Sequence, residues 1–65
     1  MGIGERLLVA RKNEGFTQKK LSELCGVSRS AIAKTESGIC VPRHKNILVI
    51  SKALKITPSY LQFGE

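Results

Sequence analysis

Residues 17–38 read TQKKLSELCGVSRSAIAKTESG, and the fold turns on how this stretch is punctuated. Thr17 stands before Leu21 and Leu24, which recur at helical spacing and are expected to face inward. Its hydroxyl is placed to accept a hydrogen bond from a free backbone N–H at a helix start. Gln18, Lys19, Lys20 and Glu23 are left to the outside or the rim. Cys25-Gly26-Val27 then breaks the pattern. A turn that short does not reverse a chain, so the next helix has to cross at a steep angle. Ser28 caps that second helix and Gly38 stops it. The stretch predicts two short helices, about 18–24 and 28–37, set across one another.

The flanks extend the same logic. A first helix over 3–14 places Ile3, Leu7, Ala10 and Arg11 on one side and stops at Gly15. Beyond the loop Ile39-Cys40-Val41-Pro42, a helix over 43–54 turns Ile47, Ile50, Ser51 and Leu54 inward. Thr57 and Pro58 open a last helix over 58–63, with Thr as cap and Pro at the first helical position, and Gly64 ends it. No alternating run is long enough for a strand, and no repeat or linker divides the chain. The expectation is an all-α fold, a compact five-helix domain spanning residues 1–65.

Composition narrows the function. Eleven Lys and Arg against five Asp and Glu give a net charge of +6 over 65 residues, a field that draws polyanions. The cations are scattered in ones and twos, unlike the blocks that seek anionic membranes, and no apolar run approaches a membrane span. Met1-Gly2 lacks the Ser or Thr that myristoylation wants, since Arg6 stands there. A soluble, cytoplasmic protein is expected. With no Trp, one Tyr and two Phe, the chain is poor in the rings that stack on single-stranded nucleic acid. Cys25 and Cys40 are too few for a disulfide scaffold, and with the lone His44 they make no zinc set, so two reduced thiols and no metal or other cofactor are expected. His44 stands between Arg43 and Lys45, and no carboxylates pair at helical spacing for acid–base work. Nothing reads as an enzyme or as a small-molecule site.

The helix over 28–37 carries the chemistry. At about 100° per residue, Ile32 and Thr35 point inward with Ala31 beside them, and the opposite arc holds Arg29, Ser30, Ala33, Lys34 and Ser37. That arc is slim, cationic and furnished with hydroxyls, as a helix entering the DNA major groove requires. Two helices meeting at a glycine turn, with such a face on the second, make a helix-turn-helix. Glu36 closes the same helix and would repel phosphates unless neutralised, and Arg11 is its natural partner. Gln18 and Arg43 lie at helix starts, where free N–H groups and the helix dipole favour a phosphate.

The sequence resembles the lambdoid phage repressor and Cro family of helix-turn-helix domains. The resemblance rests on Gly4-Glu5-Arg6-Leu7, Ala10-Arg11, Gly15-Phe16-Thr17-Gln18, Leu21, Gly26-Val27-Ser28, Ile32, Glu36 with Gly38, Pro42, Ser51-Lys52-Ala53-Leu54, and Tyr60-Leu61 with Gly64. It implies a five-helix domain that binds two-fold operator DNA as a dimer. It further implies that Thr17 and Gln18 hold a phosphate and that Ser28, Arg29, Ser30 and Lys34 meet base edges. The loop before the fourth helix then grips the backbone, and the Arg11–Glu36 ion pair is shared with the family. Ser37, Arg43, Asn46 and Arg11 join the expected phosphate contacts, and Ala33 the reading face.

Three residues depart from the family pattern. Ser22 replaces alanine and calls for a carbonyl partner one turn back, Thr35 replaces a larger apolar residue, and Lys55 replaces the glycine that usually ends the fourth helix. His44 is expected to pack at the start of that helix. In the last helix Leu61 is expected inward, which leaves Pro58, Tyr60 and Phe63 as a contact for a second copy, weak until DNA completes it. The function expected is a phage or bacterial repressor's operator-binding domain, either a complete small regulator or part of a longer one. A Cro-type protein, an antitoxin or a restriction-modification controller would share the domain. A protein-interaction module is the rival from another class, and it would need an exposed apolar groove.

Overall fold

The computed structural model describes residues 2–65. Its five helices are α1 (Ile3–Asn13), α2 (Gln18–Cys25), α3 (Arg29–Glu36), α4 (His44–Leu54) and α5 (Pro58–Phe63). Most differences from the sequence boundaries are capping residues: Ser28 and Arg43 are N-caps, Glu14 and Ser37 are C-caps, and α2 runs on to Cys25. The described residues contain no strand, and no helix among them is long and apolar enough to cross a membrane.

Each short helix needs help at its ends, because so few residues cannot hold a helix in water. Thr17 Oγ1 accepts from the Lys20 N–H at 3.0 Å, Ser28 Oγ from Ala31 at 3.1 Å and Thr57 Oγ1 from Tyr60 at 3.0 Å. Each such cap contributes about 1 kcal/mol. Packing supplies the rest. Leu7, Ala10, Leu21, Val27, Ile32, Ile47, Ile50, Leu54 and Leu61 form one core to which every helix contributes. The buried hydroxyls of Thr35 and Ser51 donate to the carbonyls of Ala31 (2.8 Å) and Ile47 (2.6 Å), so neither is left unpaired.

Two contacts at α1 set the global arrangement. Gly4 lets α1 lie directly on the end of α3, where a Cβ would overlap the Thr35 carbonyl oxygen. Arg6 is buried, and its Nε and Nη2 donate to the Leu61 and Gln62 carbonyls at 2.9 and 2.6 Å. These carbonyls are among the last four of α5, which have no partner inside the helix. The inward face read from the sequence did not include Arg6.

Four expectations are corrected. Leu24 is 50% exposed. It sits about 60° round the helix from the buried Leu21, and Cys25 takes the inward side instead. Ser22 is half-exposed and its hydroxyl makes no hydrogen bond among the described residues, because the helix crossing does not seal it from solvent. His44 is exposed in the first turn of α4 rather than packed. The 28–37 helix is shorter at both ends because Ser28 and Ser37 act as caps. Lys55, at the α4 C-cap, takes the left-handed conformation at φ 60°, the lone non-glycine among the described residues with positive φ.

These positions predict opposite outcomes. Lys55→Gly should stabilise the domain by about 0.5–1 kcal/mol, since a side chain is disfavoured at that φ. The exposed Lys55–Glu14 contact at 4.0 Å offers little to lose. Gly4→Ala should destabilise by about 1–3 kcal/mol through overpacking against backbone. Urea unfolding of both variants checks the pair, and the same sign for both would contradict the packing described.

Candidate nucleic-acid interface

α3 lies at the surface with Ile32 and Thr35 buried and Ala31 half-buried. Arg29, Ser30, Lys34 and Ser37 are exposed and Ala33 is half-buried. Beside α3 runs a groove of about 310 Å³, bounded on its far side by the loop before α4 and the first turn of α4. Ser28, Ser30, Lys34, Arg43 and Asn46 all line it. Five residues singled out in the sequence, drawn from two helices and their caps, therefore converge on one concave, cationic surface. Cys40, Val41 and Pro42 also line it, as do Val27, Ala31, Thr35 and Ile50. The sequence reading gave the loop before α4 a role only through the family resemblance, for no periodicity marks a residue that lines a groove from a turn.

The remaining predicted residues occupy distinct situations. Thr17 is exposed, but its side-chain oxygen is engaged as the α2 cap, so it offers a hydroxyl proton rather than a free acceptor. Ser28 is placed alike at the head of α3. The Ser37 hydroxyl donates to the Lys34 carbonyl at 3.0 Å, so its proton is engaged within the helix end. Arg43 is the exposed N-cap of α4, and Asn46 is half-buried one turn on. Pro58 is half-buried, while Tyr60 and Phe63 are exposed on α5, Phe63 at 65%.

Arg11 and Glu36 meet in the interior. Arg11 Nε and Nη2 grip the two carboxylate oxygens at 2.6 and 3.0 Å, and Nη1 donates to the Phe16 carbonyl at 2.7 Å. Both side chains are largely buried. The geometry makes Arg11 a partner of Glu36 and of the backbone, its guanidinium paired with a buried carboxylate. Gln18 adds to the cluster by donating Nε2 to Glu36 Oε1 at 3.0 Å. That link escaped the sequence reading, which gave Gln18 to a phosphate alone. Its effect is to hold the Gln18 amide at the head of α2, where the leading N–H groups of the helix face outward.

Cys25 and Cys40 are free thiols, and no three His, Cys, Asp or Glu gather into a metal-binding cluster among the described residues.

Two short helices meeting at a left-handed glycine, the second with a cationic, hydroxyl-bearing outer face, define a helix-turn-helix domain. The chain belongs to the helix-turn-helix family, whose model matches residues 7–61. It is 35% identical to the HTH-type transcriptional regulator DicA of Escherichia coli over 97% of this chain and 47% of that protein. It is 38% identical to the repressor protein C2 of Salmonella phage P22 over 97% of this chain and 29% of that one, so it spans less than half the length of either relative. The crystal structure of the P22 c2 repressor in complex with synthetic operator 9T superimposes with a TM-score of 0.94 at 37% identity, covering 100% of this chain and 98% of that one. The restriction-modification controller protein C.AhdI from Aeromonas hydrophila gives a TM-score of 0.86 at 36% identity, covering 91% and 89%.

The buried cluster makes a specific prediction. Arg11→Ala or Glu36→Ala alone should cost about 3 kcal/mol, because the surviving charge is stranded in the interior. The double substitution should cost clearly less than the sum of the two. Denaturant unfolding of the four proteins checks this, and additive losses would contradict the pairing.

Proposed function

We propose that this chain binds double-stranded DNA sequence-specifically and regulates transcription as the operator-binding domain of a repressor of phage or bacterial type, acting in the cytoplasm on DNA and without catalysis. The observation that carries the proposal is the convergence of Ser28, Ser30, Lys34, Arg43 and Asn46 on one groove beside the cationic arc of α3. α3 enters the major groove. Ser28, Arg29, Ser30 and Lys34 face base edges, with Ala33 allowing close approach. Gln18, Thr17, Ser37, Arg43 and Asn46 meet flanking phosphates and set the register. The resolved fold of the P22 c2 repressor on its operator supports this reading, and the likeness to C.AhdI favours a restriction-modification controller as the second.

One such domain covers few base pairs, so useful specificity calls for two copies on a two-fold site with reading helices about 34 Å apart. The contact proposed is the α5 face of Pro58, Tyr60 and Phe63. Charge supports the choice. The groove beside Tyr60 includes Glu14 as well as Lys55, whereas the groove beside α3 is lined by Lys34 and Arg43 without a carboxylate. Copies of a +6 chain meet most easily where the surface is locally neutral.

Selection from a random duplex pool tests the reading by defining the cognate site. On that site Arg29→Ala or Lys34→Ala should each cost about 1–3 kcal/mol and relax preference at one position per half-site. Equal losses on cognate and random duplex would make the residue a phosphate contact. Phe63→Ala should leave the fold intact and reduce cooperativity on the full site while half-site affinity stays the same. Unaltered cooperativity would place the dimer contact elsewhere.

A further inference from the structure

Leu24, Cys25, Val49, Lys52 and Ala53 line a second groove, of about 380 Å³, between α2 and α4. It opens on apolar surface that the fold leaves uncovered: Leu24 is 50% exposed, Leu48 45% and Val49 37%. A 65-residue domain that exposes Leu24 and Val49 on one groove, with Leu48 exposed next to Val49, forgoes core area it can ill spare. The rim is basic. Lys52 lines the groove, Lys20 lies four residues before Leu24 on the same side of α2, and Lys45 four before Val49 on the same side of α4, all exposed. Glu23 is about 100° further round α2 from Leu24.

We infer that this groove docks an acidic amphipathic helix of a partner protein. The apolar floor takes aliphatic side chains spaced i, i+3 and i+4, and the lysines take carboxylates on either flank of that stripe. The same chemistry disfavours the other occupants. A second copy would bring lysine against lysine. A DNA backbone has no apolar stripe to fill the floor. The floor of the groove uses different ends of its two helices from the proposed DNA face, and only the outer lysines Lys20 and Lys45 stand in their first turns. Thr17 and Gln18 lie at the start of α2, and Arg43 at the start of α4. Leu24 and Cys25 end α2, while Val49, Lys52 and Ala53 lie in the C-terminal half of α4. Partner and DNA therefore bind together, an arrangement that rests on the DNA reading above, whereas the docking itself does not.

Random helix-forming peptides displayed on phage, selected on the immobilised full chain with and without saturating duplex, test the inference. Enriched peptides should carry apolar residues at i, i+3 or i+4 flanked by Asp or Glu, and should bind equally in both conditions. Binding should fall about ten-fold on the Leu24→Ser, Val49→Ser double variant, which keeps every charge, and again on Lys52→Glu. Circular dichroism establishes that both variants are folded. No enrichment, or peptides that bind the Ser variant as well as the parent, would overturn the inference, the latter by showing bare charge attraction. Displacement by duplex would assign the groove to the DNA face. A chain that binds these peptides but no duplex would refute the DNA reading and leave the docking site standing.

Discussion

The buried contact between Arg11 and Glu36 is the constraint on which the presentation of α3 depends. A guanidinium at the end of α1 holds both carboxylate oxygens at the end of α3 and the Phe16 carbonyl between α1 and α2. The end of α1, the turn that follows it and the distant end of α3 are thereby fixed by one planar group. Because the pair is largely buried, breaking one side leaves an ion in a medium that solvates it poorly. Its other consequence is electrostatic. It neutralises the carboxylate of Glu36 at the end of the face proposed to approach phosphates, and the bond from Gln18 brings the head of α2 into the same arrangement. Gly4 reinforces it by allowing backbone contact between α1 and α3 that no side chain would permit.

A second regularity is the polarity of the short helices. The starts of α2, α3 and α4 are capped by Thr17, Ser28 and Arg43, and each of these three caps belongs to the proposed DNA-facing set. Helix starts carry outward N–H groups and partial positive charge, so the starts of α3 and α4 meeting at one groove add to the attraction of the scattered lysines and arginines. The C-terminal halves of α2 and α4 form an apolar groove elsewhere, and α5 is tied down at its C-terminus by Arg6. One small core thus supports three surfaces of different chemistry.

Much of this was legible in the residues themselves. Thr17, Ser28 and Thr57 announce helix starts by a local hydrogen bond, and Gly26 and Gly64 mark ends that need a left-handed residue, so all five helices were readable within about two residues. The inward stripe of α4 was readable because Ile47, Ile50, Ser51 and Leu54 repeat at helical period. The failures have physical causes as well. Leu24 is apolar and correctly spaced, yet α2 is too short and too steeply crossed for its whole apolar side to be covered. Arg6 was left out of the inward face of α1, because only the return of α5 to α1 supplies the carbonyls that hold it. On the candidate site, the arc of α3 followed from angular spacing, whereas its convergence with Arg43 and Asn46 depends on the path of a loop that no local pattern specifies.

The central claim is that α3, with the starts of α2 and α4 beside it, faces duplex DNA. Titrating the isotopically labelled protein with the duplex selected from a random pool, and following each backbone amide by NMR, tests it residue by residue. The account predicts large shifts for Gln18, Arg29, Ser30, Ala33, Lys34 and Arg43, with little change at Leu24, Val49 and Ala53. Shifts concentrated at the α2–α4 groove, with α3 unmoved, would contradict it.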